Sequence, residues 1–350
     1  MTGIHPLPSR WRHLCMQTDL RQFRLWLTPL LAFYWLASSG IAQAAPSAKA
    51  EPAKVAPAQF PLQVNGRTLH YTTNFEPVMP GEEVVFTTAP HLAERLALQI
   101  DGKNLTAQQG QFKWRAPQVA GTHKVDAHLR AESAHTGYQT VSLALLVMVP
   151  SKRISNGHLN NYRIGQYPPA HKNLSSYRAP EGFIEVTISN QNLRISPNFT
   201  LGQFLCKQAS GLPKYLVLQP ALLNKLEEFL LEVNQRGIIT PSFVVMSGYR
   251  TPYYNRAINN VPNSYHIYGG AADIYIDVNG DGVMDDINGD GKSDRADAAL
   301  LYEWADSFVT RHNRPDLIGG LGQYNSTAAH GPFIHLDVRG TPVRWGNWPP

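Results

Sequence analysis

The sequence predicts a chain in two folded parts, an all-β sandwich followed by an α+β domain. Three observations predict it. Residues 60–150 hold short apolar runs separated by turn signals, with no helical period. Residues 186–350 combine one strongly amphipathic helix with alternating, strand-like runs. A chain of 350 residues also has the length of about two domains.

Composition narrows the class. Apolar residues make up 43% and charged residues only 16%, which suits a packed chain rather than a disordered one. The formal charge of +5 is concentrated at the start. Arg10, Arg12, Arg21 and Arg24 against Asp19 put a net +3 on residues 1–44, leaving about +2 for the rest. That balance gives no electrostatic ground for a nucleic-acid partner.

Residues 1–44 read as a secretory leader. Arg21 and Arg24 precede the apolar run Leu25 to Leu36, and small residues follow, ending in Ala42-Gln43-Ala44. This is a positive segment, an apolar segment and an A-x-A cleavage site. The apolar run is short for a membrane span, so contact with the membrane is expected only through an uncleaved leader. Met16 is an alternative start. The expected location is periplasmic or envelope-associated. Cys15 lies in the leader and leaves Cys206 without a partner, so an exported chain with no internal disulfide follows.

Residues 45–59 are rich in Ala, Pro and Lys and predict a flexible linker. The sandwich, immunoglobulin-like in architecture, then spans 60–150. Its strands include Glu83 to Phe86, Leu96 to Ile100, Lys124 to Leu129 and Val141 to Val147, with turns at Pro80-Gly81, Asp101-Gly102 and Ala120-Gly121. Trp114 is the expected core aromatic. Residues 151–185, rich in Asn, Tyr, Pro and Ser, form a connector with no role visible in the sequence.

The second domain opens after Val186. Following Pro220, a stripe of Leu222, Leu223, Leu226, Phe229, Leu230 and Val233 predicts a helix stopped by Gly237. Phe243 to Met246 then forms a strand leading into the stretch with the most chemistry, Ser247 to Ile274. His266 and Asp273 are separated by six residues, Gly269 and Gly270 among them. His335 lies in the alternating run Phe333 to Val338, where His335 and Asp337 share one face. Two imidazoles and a carboxylate suit zinc, which in a catalytic site takes three protein ligands and leaves one position open.

Three ordered blocks carry a family likeness: Ser247-Gly248-Tyr249-Arg250-Thr251-Pro252 with Asn255; Ser264, His266, Gly269, Ala271, Asp273 and Ile274; and His335 with Asp337. Over roughly the last 150 residues the chain resembles the zinc D-alanyl-D-alanine carboxypeptidases and their murein endopeptidase relatives. The resemblance implies a hedgehog/D-Ala-D-Ala peptidase-like α+β fold, zinc on His266, Asp273 and His335, and hydrolysis of amides beside D-amino acids in peptidoglycan stem peptides. It also supports a catalytic role for Arg250, as the cation facing the developing oxyanion. The competing reading of Arg250 is a structural pair with a local carboxylate. For the general base the candidates are Asp337, whose other reading is to orient a ligand imidazole, and His330. Some relatives carry a carboxylate three residues before the last His; here Pro332 occupies that place. Ser264 and Asn255 read as loop-fixing hydrogen bonders.

An acidic stretch follows the first block. Asp277, Asn279 and Asp281 begin one unit; Asp286, Asn288, Asp290, Asp294 and Asp297 form a second, with oxygen ligands at positions 1, 3, 5, 9 and 12 and Gly291 at 6. That spacing predicts structural calcium in an EF-hand-like loop over 277–297, with the two units sharing one or two ions. A helix with Leu300, Leu301, Trp304 and Phe308 follows. Two non-enzymatic readings remain beside the peptidase: a cell-wall-binding protein that keeps the fold, and a calcium-stabilised adhesion protein.

Overall fold

Short β-rich runs punctuated by turn residues produce two five-stranded sheets stacked face to face. The computed structural model describes residues 51–130, 138–312 and 314–346; the leader with Cys15, and the linker up to residue 50, lie outside the described residues. One sheet runs, in spatial order, Arg67–Thr68, Leu62–Val64, Glu83–Thr88, Gln111–Arg115, Ala107–Gln108. The other runs Thr73–Val78, Tyr138–Val147, Gly121–Arg130, Leu96–Ile100, Lys103–Leu105. Period-2 alternation sends Val84, Phe86 and Phe112 from one sheet against Leu98, Val125, Leu143 and Leu145 from the other. Asp101 and Gly102 both have positive φ, the backbone that a tight hairpin between two twisted strands requires. Trp114 packs on the edge of this core, partly exposed, rather than at its centre.

The run Val141 to Val147 is apolar on both faces because both are covered. Leu143 and Leu145 face the sandwich core, while Ala144 and Leu146 join a second core with Phe183, Phe204, Leu226 and Ile274. The two expected domains therefore share a packed seam, and the described residues fall in one compact unit. The expected flexible linker is docked from residue 53 on. Ala53 N–H donates to Asn234 Oδ1 at 3.2 Å, and Lys54 N–H to Asn198 Oδ1 at 2.8 Å. Burial of Ala53 and these polar anchors outweigh the flexibility that its composition implied. The connector is structural too: Tyr162 and Ile164 are buried, and Ile164 C=O accepts from Tyr253 N–H at 3.0 Å.

The site rests on a separate mixed sheet of five strands, β1 (Val244–Ser247), β2 (Ala271–Tyr275), β3 (Gly320–Tyr324), β4 (Phe333–Asp337) and β5 (Val343–Trp345). Their spatial order is β1-β2-β4-β3-β5, antiparallel except for β3 with β5. Three helices accompany it: α1 (Pro220–Gln235), α2 (Pro252–Ala257) and α3 (Arg295–His312). Pro220 opens α1 where its missing N–H costs nothing, and Gly237, at φ +98°, lies just past its end. The α1 stripe is buried, and its Phe229 meets Phe308 of α3 at 5.7 Å between rings. Taken together the described residues are mostly β-sheet with few helices.

Candidate metal centre and its cleft

Strand register builds the site. Asp273 on β2 is directly opposite His335 on β4, so alternation that buries Ala272, Ile274, Ile334 and Leu336 on one face puts both polar side chains on the other. His266 comes from a single 3₁₀ turn, Tyr265–Tyr268, which ends at Gly269 in the left-handed region. A Cβ on Gly269 would overlap the Val217 backbone, so glycine is needed there twice over. The turn brings His266 to the strand pair.

Three atoms converge. His266 Nε2 is 3.1 Å from Asp273 Oδ1 and 3.1 Å from His335 Nδ1, and His335 Nδ1 is 2.9 Å from Asp273 Oδ1. Tetrahedral ligands around zinc stand about 3.3 Å apart, so a few tenths of an ångström separate this triad from that arrangement. Among the described residues no other group of three His, Cys, Asp or Glu side chains gathers this closely. The outward atoms are all engaged. His266 Nδ1 lies 2.7 Å from Gly248 C=O and His335 Nε2 lies 3.0 Å from Asp337 Oδ2. Those acceptors place the protons on the far nitrogens and leave Nε2 of His266 and Nδ1 of His335 as inward lone pairs. Asp273 Oδ2 takes the Arg250 guanidinium, leaving Oδ1 inward. The donor set fits a zinc ion.

Electrostatics agree for two of the three. Burial, with Arg250 beside it, pushes His266 down to about 4, so the imidazole is neutral near pH 7. Burial opposes ionisation of Asp273, yet His266 and Arg250 hold its carboxyl well below the usual range. His335 is pushed up: burial works against its charge, but hydrogen bonds to Asp273 and Asp337 outweigh that.

The triad sits in the wall of a cleft of about 840 Å³, lined also by Lys207, Arg250, Tyr324, His330, Arg339 and Trp345. No family model and no curated protein matches this chain. A solved structure of Clostridium thermocellum CbhA fibronectin(III)-like modules is similar, at 15% identity over 21% of this chain and 87% of that one, with a TM-score of 0.17.

One expectation at the site needs correction. Asp337 is not placed to serve as a base at the inward side. It is fully buried behind His335 and accepts from Gly320 N–H at 2.6 Å, Arg339 N–H at 3.1 Å and the Arg339 guanidinium. Arg250 makes the local carboxylate pair that is one of its two readings. It pairs with Asp273 Oδ2, and its Nε donates to Ser247 Oγ at 2.8 Å, while the side chain still lines the cleft. His330 lines the cleft, with Nδ1 2.8 Å from Gly331 C=O. Asn255 fixes its loop through Val261 C=O at 2.8 Å; Ser264 lies in the cleft wall.

In the acidic loops the side-chain oxygens named in the calcium expectation all accept from backbone N–H groups. Asp277 accepts from Gly280, Asp281 and Gly282 N–H, and Asp286 accepts from Gly289, Asp290 and Gly291 N–H in the same pattern. Asn279 and Asp281 turn back onto amides two residues on, as do Asn288 and Asp290. Asp294 accepts from Ala296 N–H, and buried Asp297 accepts from Ile287, Asn288 and Asp294 N–H. These are Asx-type turns in which backbone amides use the carboxylate oxygens.

Sequence reasoning passed over Arg339, Trp345 and the glycines of β3. The Trp345 ring stands 5.0 Å from that of His335, and its Nε1–H donates to Tyr324 Oη at 2.9 Å. A Cβ on Gly322 would overlap this indole, and one on Gly320 would overlap the Asp337 carboxylate. The Gly319-Gly320-Leu321-Gly322 run was the available signal: glycine inside a strand marks a close approach.

Proposed function

We propose that this chain is an exported zinc metallopeptidase that hydrolyses amides beside D-amino acids in peptidoglycan stem peptides. The convergence of His266, Asp273 and His335 in the wall of a large cleft carries this reading, and the resemblance of the three sequence blocks gives the substrate class. We read the site-bearing part as a D-Ala-D-Ala peptidase-like fold and the sandwich as immunoglobulin-like.

When bound, zinc supplies Lewis acidity and a water of lowered pKa. The chain's own residues do the rest. Gly248 C=O and Asp337 hold the two imidazoles in the ligating tautomer. Arg250, anchored by Ser247 and Asp273, presents a fixed cation at the cleft wall for the oxygen that gains charge. His330 takes the proton from water and returns it to the leaving nitrogen. In balance, water oxygen joins the carbonyl carbon, the C–N bond breaks, and an acid and an amine result.

One observation favours a non-catalytic wall-binding protein as the second reading: among the described residues lining the cleft, Asp273 is the sole carboxylate. Metal content by mass spectrometry, together with mass analysis of crosslinked and uncrosslinked muropeptides after incubation, decides. One zinc per chain with product supports the peptidase; one zinc per chain with no product from any muropeptide favours the binder. Structural calcium in the acidic loops is a separate, lesser proposal resting on their spacing. A melting temperature that rises with calcium in the wild type but not in Asp286→Asn tests it.

A further inference from the structure

We propose that a second groove, which adjoins the metal cleft at Tyr265 and Arg339, binds the peptide on the leaving side of a crosslinked substrate. This rests on the hydrolytic reading above and specifies which substrate the site prefers. The groove has a volume of about 610 Å³. Its walls include Pro77 and Met148 of the sandwich, Ser176 and Arg178 of the connector, and Val217 and Ala221 on either side of the start of α1. Tyr265 and Arg339 line both hollows.

Arg339 is the hinge of the inference. Its Nε donates to Asp337 Oδ1 at 3.0 Å and Oδ2 at 2.9 Å, and the guanidinium stands 5.7 Å from the Tyr265 ring centroid and 5.6 Å from that of Trp345. A planar cation fixed by a buried carboxylate and flanked by two rings is pre-organised to meet a second carboxylate. An amine released from an amino acid with a free carboxylate puts such an anion next to the bond that breaks. A peptide continuing past that point leaves the metal cleft at Arg339 and meets the groove, whose apolar floor (Pro77, Met148, Val217) and charged rim (Arg178, Glu181, Asp316) suit a short mixed-charge peptide. The sandwich and connector then form part of the substrate site.

The test uses the zinc-loaded full chain and two substrates. One is a crosslinked muropeptide dimer; the other is that dimer trimmed on its leaving side to the single amino acid that bears the carboxylate. The wild type should cleave the full dimer with kcat/KM about tenfold higher. Ser176→Trp, which fills the groove, should bring the full dimer down to the rate of the trimmed one and leave the trimmed one unchanged. Arg178→Ala, which removes an exposed side chain, should shrink the preference in the same direction. Equal rates on both substrates in the wild type, or a preference that survives Ser176→Trp, overturns the inference. If neither substrate is cleaved, the hydrolytic reading fails, and calorimetry decides the groove alone. Dimer binding weakened by Ser176→Trp supports it; binding equal in both proteins overturns it.

Discussion

His335 Nε2 stands 3.0 Å from Asp337 Oδ2, on the side of the ring opposite Asp273. The same carboxylate also receives Gly320 N–H and the Arg339 guanidinium. A group with this many donors, fully buried, acts by fixing the ring beside it. Its influence on chemistry passes through the orientation and basicity of His335.

Asp337→Asn is therefore expected to weaken zinc affinity by roughly 10–100-fold, the usual effect of losing the carboxylate behind a ligand imidazole. Competition with a chromophoric chelator measures it. Unchanged zinc affinity with lost turnover would return Asp337 to the role of base.

Asp273 and Arg250 are coupled, and their variants should show it. Asp273→Ala removes a ligand and also leaves the buried Arg250 without its anion, so zinc retention should vanish and stability fall by about 3–5 kcal/mol. Arg250→Ala should keep zinc and lower kcat by about 10²–10³-fold. The double variant should be less damaged in stability than the sum of the singles, by roughly 0.5–3 kcal/mol. Strict additivity in urea unfolding would mean that the pair is not formed in solution.

His330→Gln separates catalysis from metal binding. His330 is not one of the three convergent groups, so zinc content and melting temperature should match the wild type while kcat falls by about 10²–10⁴-fold. Full activity in this variant would send the search for a base elsewhere in the cleft.

The legible part of the sequence was the part governed by local rules. Alternation along 333–338 marks the strand and the shared face of His335 and Asp337, and the stripe after Pro220 marks α1, because side-chain period is set by backbone geometry. What periodicity cannot say is which way a polar group looks once it is on the right face. Spacing alone leaves Asp337 either a base or the partner of a ligand imidazole, and the backbone amide of Gly320 on the neighbouring strand, seventeen residues earlier in the chain, holds it behind the ring. Arg250 finds its carboxylate partner in Asp273, twenty-three residues away. Residues 51–59 look like a tether until the side chains of Asn198 and Asn234 are in place to hold them. In each case a long-range contact decides what local preference leaves open.

Lys225 gives a pH-dependent prediction of the same kind. It lies on the buried stripe of α1, nearly inaccessible, and its Nζ donates to Asp337 C=O at 2.8 Å, bracing the end of β4 from behind. Burial pushes it down from 10.5 to about 8, against the pull of Asp337. Between pH 8 and 10.5 the unfolded chain therefore binds a proton that the folded chain lacks, so stability rises with pH across that window. The rise can reach about 3 kcal/mol, and below pH 8 this group contributes no slope. Lys225→Met keeps the length of the side chain and removes the charge. Urea unfolding of both proteins from pH 7 to 10.5 should give a difference curve that is flat up to pH 8 and then moves in favour of the wild type. A difference that stays constant to pH 10.5 would show that the ammonium keeps its ordinary affinity for the proton in the folded chain.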